Sequence, residues 1–533
     1  MIDSVITNAK VRTMDAEHPE AQAVAISGNR IAAVGSNKEI LELAGHQTRR
    51  IDASNRLVLP GFNDAHLHFL DGGFELSCMD FKNAQSTEEF SECIRRCAEK
   101  IPRGRWITGS GWDEERWPGN ALPSRKLIDD LTRDAPMLLY RVDGHAALTN
   151  TSALKLAGVS RETKDPPGGS IVRDPKTGEA TGVLKDAAIG LVRGVMPSPS
   201  FEEKSRAAID ASKHAASLGV TSVQDMSAND DVGLYKLLLE RGEVRTRIYA
   251  ARPLTRWQSL ANGGGRAEGA GDMLRTGGLK AFSDGSLGSA TALFFEPYQD
   301  APGSCGLYTD EMYPEGAMLR RIMDADRAGL HVMIHAIGDK ANSEVLGFFE
   351  EVAKTNGPRD RRFRIEHAQH LRPRDIGRFS RAGVIASVQP CHCIADGCWA
   401  EKRIGAERCK TTYAFRSLID AGASLALGTD WPVASLDPLQ NIMAAVTRHT
   451  LDGKYPDGWV AEQKISVEEA VRAYTLGAAY AEFTDDVKGS ITRGKLADLV
   501  ILDRDIFTIP ASEIAKTRVR MTIVDGQVAH QND

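Results

Sequence analysis

Short apolar runs alternate with amphipathic helical stretches through the middle of this chain, and this alternation constrains the fold most. Helical patterns such as EEKSRAAIDASKHAASLG at 202–219 precede several of the runs. Strands that alternate with helices form parallel βα units, and eight such units favour a closed barrel. The eight candidate strands are PGFNDAHLHF (60–69), GVTSVQD (219–225), TRIYAARP (246–253), GLKAFSDG (278–285), HVMIHAIGD (331–339), RFRIEHAQ (362–369), VIASVQPCH (384–392) and ASLALGTDWP (423–432).

The two ends of the chain show a different pattern from the middle. Residues 1–57 read as short strands separated by Gly-Asn and Ser-Asn turns, and residues 488–533 contain similar runs. We expect both ends to form one small β-sandwich domain, with residues 58–487 as a barrel domain between them. A long insertion, about residues 75–200, follows the first barrel strand. The glycine-rich stretch at 261–278 is expected to be a flexible connector, since it lacks the context of a phosphate-binding loop.

Composition and charge exclude several classes of function. The chain has 533 residues, a formal net charge of -6 and a pI near 6.2, so it lacks the basic face typical of nucleic-acid binding. Its most basic stretch, PRDRRFR at 358–364, is interrupted by an acidic residue and is expected to be a solvated face. No apolar run approaches the roughly 18 residues of a membrane span, and the N-terminus does not resemble a signal peptide. We expect a cytoplasmic protein with neither nucleic-acid nor membrane partners.

The eight cysteines are too few and too scattered for a secreted disulfide scaffold. Cys391, Cys393 and Cys398 are close together in sequence, so a zinc site is one interpretation of this cluster. The spacing lacks a second CxxC-type pair, and ordinary free thiols are therefore favoured.

Side chains that bind metals stand at the ends of five candidate strands. His66 and His68 are two residues apart, so both imidazoles face the same side of the first strand and can share a metal. The carboxyl ends of barrel strands gather at one mouth, where active sites lie. His331 begins its strand and would lie about 13 Å from His335, at the other end of the barrel. The strand-end set is His66, His68, Lys280, His335, His367 and Asp430.

Each of these residues also has a structural interpretation. A single strand histidine is usually a hydrogen-bonded core residue, Lys280 could pair with Asp284, and Asp430 could cap a helix. Gln224 and Asp225, which end the second strand, are explained equally well by the solubility of a strand end. The joint pattern favours a metal site, because packing alone does not readily put ligand-type side chains at five strand ends.

The motifs around these residues resemble the amidohydrolase superfamily. PGFNDAHLHF is similar to the family's first-strand motif, and GKLADLVILD to its return into the β-sandwich. KAFSDGSLGS, HAIGD, RIEHAQ, SVQPCH and GTDWP, with GSGW and DGHAALTN of the insertion, resemble N-substituted formamide deformylases and YtcJ-like proteins. The resemblance covers nearly the whole chain. It implies an α/β fold: a distorted TIM (β/α)8 barrel with a small β-sandwich domain formed from both termini.

The resemblance implies that the strand-end set binds two divalent metal ions. An ammonium is repelled by a cation, so Lys280 is implied to be carbamylated by carbon dioxide, giving a carboxylate that bridges both ions. Imidazole and carboxylate ligands suit zinc, although manganese, iron or cobalt stay open. Metal binding lowers the pKa of water toward about 7 and so produces hydroxide as the nucleophile. Asp430 is expected to act as general base and then as general acid.

Further side chains are expected to contact the substrate around this centre. His145 matches a subgroup motif and could act as a catalytic donor to the scissile carbonyl or bind the substrate. The alternative for His145 is a structural hydrogen bond inside the insertion. Gln389 and His392 follow the seventh strand and point toward the mouth. Trp112 and Trp431 could form an aromatic pocket, with core or lid packing as the alternative for each.

We therefore predict a metal-dependent amidohydrolase that cleaves a C–N bond of a small molecule, an N-substituted amide or formamide. Hydrolysis of a cyclic amide, carbamate or ester by the same site is the alternative within enzymes. A non-catalytic binding or scaffold protein on this fold is the alternative from another class. Such a protein would be expected to have lost ligands, whereas this sequence keeps all six. We also expect a homo-oligomer, a dimer.

Overall fold

The structure is a computed structural model in which helices and strands alternate through most of the chain. It describes residues 1–76, 79–81, 84–99, 105–132, 134–227, 231–262 and 271–532. Within these residues, no helix combines the length and the apolar character that crossing a membrane requires.

The strands and helices of the described residues follow in chain order. The strands are β1 (Ser4–Thr7), β2 (Lys10–Arg12), β3 (Glu20–Ala21), β4 (Ala23–Ser27), β5 (Arg30–Gly35), β6 (Arg49–Asp52), β7 (Leu57–Pro60), β8 (Phe62–Leu67), β9 (Met79–Asp80), β10 (Ile107–Trp112), β11 (Met137–Arg141), β12 (Ala146–Thr149), β13 (Gly169–Arg173), β14 (Ala180–Asp186), β15 (Val220–Asp225), β16 (Arg247–Pro253), β17 (Leu274–Phe282), β18 (His331–Ala336), β19 (Arg364–His367), β20 (Ile385–Val388), β21 (Leu425–Leu427), β22 (Leu499–Leu502), β23 (Val519–Val524) and β24 (Gln527–Gln531). The α-helices are α1 (Asn37–Glu42), α2 (Phe69–Glu75), α3 (Thr87–Ala98), α4 (Arg125–Ile128), α5 (Thr151–Leu156), α6 (Ile189–Arg193), α7 (Phe201–Ser217), α8 (Val232–Glu240), α9 (Trp257–Asn262), α10 (Ala317–Arg327), α11 (Asp339–Asn356), α12 (Pro373–Ala382), α13 (Pro390–Asp396), α14 (Ala400–Cys409), α15 (Phe415–Asp420), α16 (Pro438–Thr447), α17 (Val467–Arg472) and α18 (Ala478–Ala481).

A parallel sheet of eight strands forms the barrel, in the order β21-β20-β19-β18-β17-β16-β15-β8. Every residue of β8, β15 and β18 is buried, as expected where helices cover the outside of a parallel sheet. The ring comes together between β8 and the loop after β21, where the Asp430 N–H donates to the His66 carbonyl at 2.7 Å. Gly428 permits this approach, because a Cβ there would lie 2.5 Å from the His66 nitrogen. The predicted TIM-like barrel is confirmed.

The fourth barrel strand begins earlier than the sequence predicts. Residues 274–278 of the expected connector belong to β17, whereas residues 263–270 lie outside the described part of the chain. Buried Leu274 and Thr276 alternate with partly exposed Arg275 and Gly277. This is a period-two strand pattern that the glycines conceal in the sequence.

Strands from both ends of the chain form two further sheets, with orders β5-β4-β1-β6 and β24-β23-β22-β7-β2-β3. In the second sheet, β22 from the C-terminal part pairs antiparallel with β7 from the N-terminal part. The two sheets share one apolar core, which includes Ile6, Val11, Val24, Ile26, Val58, Leu499, Ile501 and Ile523. This is the predicted β-sandwich, and its proposed boundaries at residues 57 and 488 stay predictions.

The chain between β8 and β15 forms a separate sheet, with the order β13-β14-β12-β11-β10-β9. One of its faces packs on an apolar core that contains Phe90 and Trp112. Its loops reach the loop that follows β17, where the hydroxyls of Ser286 and Ser289 donate to the Asp143 carboxylate at 2.6 and 2.9 Å. The insertion is therefore fastened to the barrel beside the carboxyl ends of the strands.

Candidate active site

A row of histidine rings crosses the mouth of the barrel. Neighbouring ring centroids lie 5.9 Å apart for His66 and His68, 4.8 Å for His66 and His367, and 4.6 Å for His367 and His335. His145 of the insertion continues the row, with its ring centroid 5.1 Å from that of His335. Three barrel strands and the insertion thus bring five imidazoles into ring contact.

Asp430 lies among these rings. Its Oδ1 is 3.2 Å from Nε2 of His68 and 3.5 Å from Nε2 of His66, and its Oδ2 is 3.9 Å from Nε2 of His392. Burial opposes ionisation, but the imidazoles of His66, His68 and His367 hold the pKa of Asp430 well below its usual range. The side chain is therefore an ionised carboxylate among nitrogen donors.

The donor set fits a divalent metal. Two groups of three residues have ligand atoms within 4.8 Å of one another: His66 with His68 and Asp430, and His367 with His392 and Asp430. Nε2 of His66, Nε2 of His392 and Oδ1 of Asp430 are buried without a hydrogen-bond partner. Buried polar atoms rarely lack a hydrogen-bond partner, so these three atoms are candidate ligands for a cation. The geometry adds His392, predicted only as a substrate contact, to the candidate ligands.

Lys280 is buried in the same region and its Nζ has no hydrogen-bond partner. Its ammonium lies 4.2 Å from the centroid of the Phe282 ring. Burial lowers the pKa of Lys280 to about 8, against the opposing charges of Glu366, Asp430 and Glu311. The alternative of a Lys280–Asp284 pair is wrong. The Asp284 carboxylate instead accepts backbone N–H groups of Leu293, Ile337 and Gly338.

The sequence reasoning missed Glu366, which orients His66. Oε2 of Glu366 lies 2.5 Å from Nδ1 of His66, and Arg364 donates to both carboxylate oxygens at 2.8 and 3.0 Å. All three side chains are almost fully buried. A carboxylate behind a ligand histidine fixes its tautomer and leaves Nε2 for the metal. The signal was present: charged residues two apart in an apolar strand share one face.

His367 follows Glu366 directly in sequence, yet both side chains lie in the candidate active site. Successive residues of a strand normally point to opposite faces. His367 and Ala368 have φ of 73° and 45°, so the backbone turns at this point and carries the His367 ring into the mouth. Nδ1 of His367 then donates to Oε1 of Gln389 at 2.8 Å. Gln389, predicted to contact the substrate, therefore orients His367.

Asp64 was also missed, and it connects the first and the last strand of the barrel sheet. Its carboxylate accepts the backbone N–H of Thr429 at 3.1 Å, the Thr429 hydroxyl at 2.7 Å and the Tyr474 hydroxyl at 3.0 Å. Burial raises the pKa of Asp64 to about 7. These bonds fix the loop that carries Asp430 against the strand that carries His66.

A match to a family model supports the assignment that the geometry suggests. Residues 49–530 match the model described as the amidohydrolase family. This chain belongs to the amidohydrolase family. The match spans the barrel and the C-terminal part of the β-sandwich, so it covers every candidate ligand.

Relatives extend over nearly the whole amidohydrolase chain. Protein LONG AFTER FAR-RED 3 of Arabidopsis thaliana is 39% identical, over 98% of this chain and 91% of that protein. Putative amidohydrolase YtcJ of Bacillus subtilis is 31% identical, over 98% of both chains. An N-substituted formamide deformylase of Arthrobacter pascens is 28% identical, over 100% of this chain and 99% of that protein. The predicted family and subgroup are confirmed.

The crystal structure of an uncharacterized metal-dependent hydrolase from Pyrococcus horikoshii OT3 has the same fold. It superposes with a TM-score of 0.77 at 30% identity, over 96% of this chain and 99% of that chain. Together with the family match, this similarity makes the protein an enzyme, a metal-dependent amidohydrolase that acts on C–N bonds. The expected reaction class is confirmed.

Two tryptophans of this amidohydrolase that were predicted to line a substrate pocket are packed in its interior. Trp112 is fully buried in the core of the insertion and donates from Nε1 to the Leu139 carbonyl at 2.8 Å, so its place in a substrate pocket is wrong. Trp431 packs under α2, where a Cβ on Gly72 would lie 2.3 Å from its ring. It is only 4% exposed, which agrees with the packing alternative.

Gln224 and Asp225 are fully buried, so solvation of the strand end does not explain them. Asp225 accepts the Tyr235 hydroxyl at 2.7 Å, and Gln224 donates to the Ala478 carbonyl at 2.8 Å. The expected solvated face at 358–364 is likewise wrong at Arg364, which lies inside the barrel.

His331 lies away from the mouth, as predicted. Its ring contacts the Tyr249 hydroxyl at 3.0 Å and the Arg362 carbonyl at 2.8 Å. The cysteine cluster of Cys391, Cys393 and Cys398 contributes to neither metal-ligand group found among the described residues. All three are free thiols.

Proposed function

We propose that the protein hydrolyses the C–N bond of a small N-substituted amide or formamide. The observation that carries this proposal is the position of Asp430, an ionised carboxylate surrounded by His66, His68 and His392. The name of the Arthrobacter pascens relative supports the substrate class. The cytoplasmic location and the dimeric state stay predictions.

His66, His68, His335, His367 and Asp430 would hold the metal, with Lys280 as a sixth ligand and His392 beside them. A divalent metal, such as zinc, would polarise the substrate carbonyl and lower the pKa of a water molecule. Asp430 accepts the proton of the attacking water as general base and passes it to the leaving nitrogen as general acid. His145 faces the same space, where it binds the substrate by accepting a hydrogen bond from the amide N–H.

Lys280 is proposed to be carbamylated. The neutral amine attacks the carbon of carbon dioxide, so that an N–C bond forms while one C–O π bond breaks. The nitrogen releases one proton to solvent, which yields a carboxylate. Burial favours the neutral amine, since it lowers the pKa of Lys280 to about 8. The product is an anionic oxygen ligand in place of a cation that the metals would repel.

The test is a turnover assay of the zinc-loaded protein against N-aryl and N-alkyl formamides, the matching acetamides, and cyclic amides. We expect release of amine from at least one acyclic N-substituted amide, and loss of that activity in Asp430→Asn. Exclusive turnover of cyclic amides, carbamates or esters would replace the substrate class. Absence of turnover in a metal-loaded, folded protein across the whole panel would contradict the proposal.

A further inference from the structure

The insertion delivers one histidine to the barrel mouth. His145 precedes β12, and its ring centroid lies 5.1 Å from that of His335. Its side chain is 18% exposed, so it is largely shielded from solvent. Nδ1 of the ring lies 2.6 Å from Oδ1 of Asp186, at the end of β14. This leaves Nε2, on the far edge of the ring, for the reaction centre.

The carboxylate of Asp186 contacts the ring of His145. Among the described residues, the hydrogen-bond partner of its Oδ1 is His145, and its Oδ2 is buried with no partner. A buried carboxylate oxygen without a donor destabilises the fold, so packing does not account for an aspartate here. Asp143, the other carboxylate near His145, is already engaged by Arg141, Ser286 and Ser289.

The backbone holds the pair independently of the carboxylate. The Asp186 N–H donates to the His145 carbonyl at 2.9 Å, and Asp186 pairs with Gly169 in the antiparallel ladder of β13 and β14. Asp186 has φ of 47°, in the left-handed region that aspartate and asparagine tolerate better than most residues. Replacing the aspartate by asparagine therefore changes the charge and leaves the backbone pairing in place.

The absence of a side chain at Gly285 allows Asp186 and His145 to lie against the barrel. A Cβ at this position would lie 3.0 Å from Oδ1 of Asp186 and 2.0 Å from Oγ1 of Thr291. The Gly285 carbonyl also lies 3.1 Å from Nε2 of the candidate ligand His335. The loop after β17 therefore contacts both the insertion pair and the barrel histidine.

We propose that Asp186 is a positioning residue that fixes His145 with a proton on Nδ1, so that Nε2 faces the reaction centre. The inference rests on the proposed function, in which Nε2 of His145 accepts a hydrogen bond from the substrate amide N–H. A histidine oriented by a carboxylate on its other nitrogen is the arrangement that keeps a catalytic imidazole in one tautomer. An asparagine at position 186 can donate to Nδ1 and thereby favour the opposite tautomer.

The experiment is 15N NMR of zinc-loaded protein labelled at its 13 histidines. In parallel, kcat and KM are measured on the amide of the panel that the wild type hydrolyses fastest. The signal of His145 is identified as the one missing in His145→Gln. We expect a proton on Nδ1 of His145 in the wild type and on Nε2 in Asp186→Asn. We also expect kcat of Asp186→Asn to fall at least about tenfold with KM changed less than about threefold. Asp186→Glu should restore the Nδ1 proton and part of kcat.

The matched control is Asp129→Asn, in the same insertion. The Asp129 carboxylate accepts the Thr151 N–H and hydroxyl, both at 2.8 Å. This variant should lower the melting temperature while the His145 tautomer and kcat stay unchanged. An unchanged tautomer or an unchanged kcat in Asp186→Asn would overturn the inference. The tautomer measurement decides the Asp186 pairing even in a protein that cleaves none of the substrates.

Discussion

At the scale of single residues, Asp430 is where the candidate ligands meet. Its carboxylate contacts His66, His68 and His392, and it is proposed to move the proton of the reaction. We expect Asp430→Asn to lower kcat at least about 10²-fold, because ligand and proton acceptor are lost together. The fold should persist, since asparagine tolerates the φ of 59° at this position.

The measurement for Asp430→Asn is steady-state kinetics with circular dichroism on the same samples. Asp210→Asn, on the outer helix α7, is the control and should keep wild-type kcat. Near-normal turnover by Asp430→Asn would remove Asp430 from the mechanism.

Lys280 gives a second prediction at this scale. Lys280→Ala should lose bound metal and activity, because the proposed carbamate ligand can no longer form. Added short carboxylic acids should restore part of both, since a free carboxylate can occupy the same place. Metal content is checked by elemental analysis, and activity by turnover with and without added acid.

Another buried lysine provides the control for Lys280→Ala. Nζ of Lys488 lies 2.7 Å from both Ser222 Oγ and Glu482. Lys488→Ala should lower the melting temperature without loss of metal and without rescue by acids. Full metal content in Lys280→Ala would refute the carbamate and leave a site of histidines and Asp430.

At the scale of elements, Asp396 at the end of helix α13 connects two loops through hydrogen bonds. Oδ2 of Asp396 accepts the Tyr413 hydroxyl at 2.6 Å and the Gln369 amide at 2.8 Å. Burial raises the pKa of Asp396 to about 7, above its value of about 3.9 in an unfolded chain. Between these values the folded state holds a proton that the unfolded state releases. The contribution of Asp396 to the free energy of unfolding therefore falls as pH rises.

Asp396→Asn tests this pH dependence. The amide oxygen can accept the same two hydrogen bonds, but it does not titrate. We expect the melting temperature of the wild type, relative to the variant, to fall between pH 5 and pH 7. Equal pH profiles for the two proteins would show that Asp396 is ionised throughout this range.

The strand elements were predictable where apolar pattern and burial agree. Each of the eight barrel strands overlaps a predicted run, because a strand buried on both faces reads as a continuous apolar run. The start of β17 at Leu274 was missed because glycines interrupt its apolar alternation. The φ of 73° at His367 was also hidden, since non-glycine residues rarely adopt it and only the surrounding packing maintains it.

At the scale of the whole molecule, metal binding should stabilise the fold. The candidate ligands come from both ends of the barrel sheet and from strands between them, so a bound metal joins segments that separate on unfolding. We expect about one to two transition-metal ions per chain. Removal by a chelator should lower the melting temperature, and added zinc should restore it, because a ligand that binds only the folded state stabilises it.

The control for metal removal is the double variant Lys280→Ala with Asp430→Asn, treated in the same way. Its melting temperature should not respond to the chelator. Absence of metal by elemental analysis, with wild-type activity and stability unchanged after stripping, would contradict the metal centre.

The sequence by itself determined the barrel, the β-sandwich and the strand-end set of candidate ligands, because these depend on local periodicity and on residue type at strand ends. The tertiary structure decided which side chains support that set. Arg364 was expected on a solvated face and Glu366 was not singled out, yet both lie inside the barrel, where low solvation makes the pairing of Glu366 with Arg364 and His66 necessary. The pairing of Asp186 with His145 likewise depends on how β14 returns beside β12. The partners His66 and His145 are far from Glu366 and Asp186 in the chain, so local pattern does not specify these two pairings.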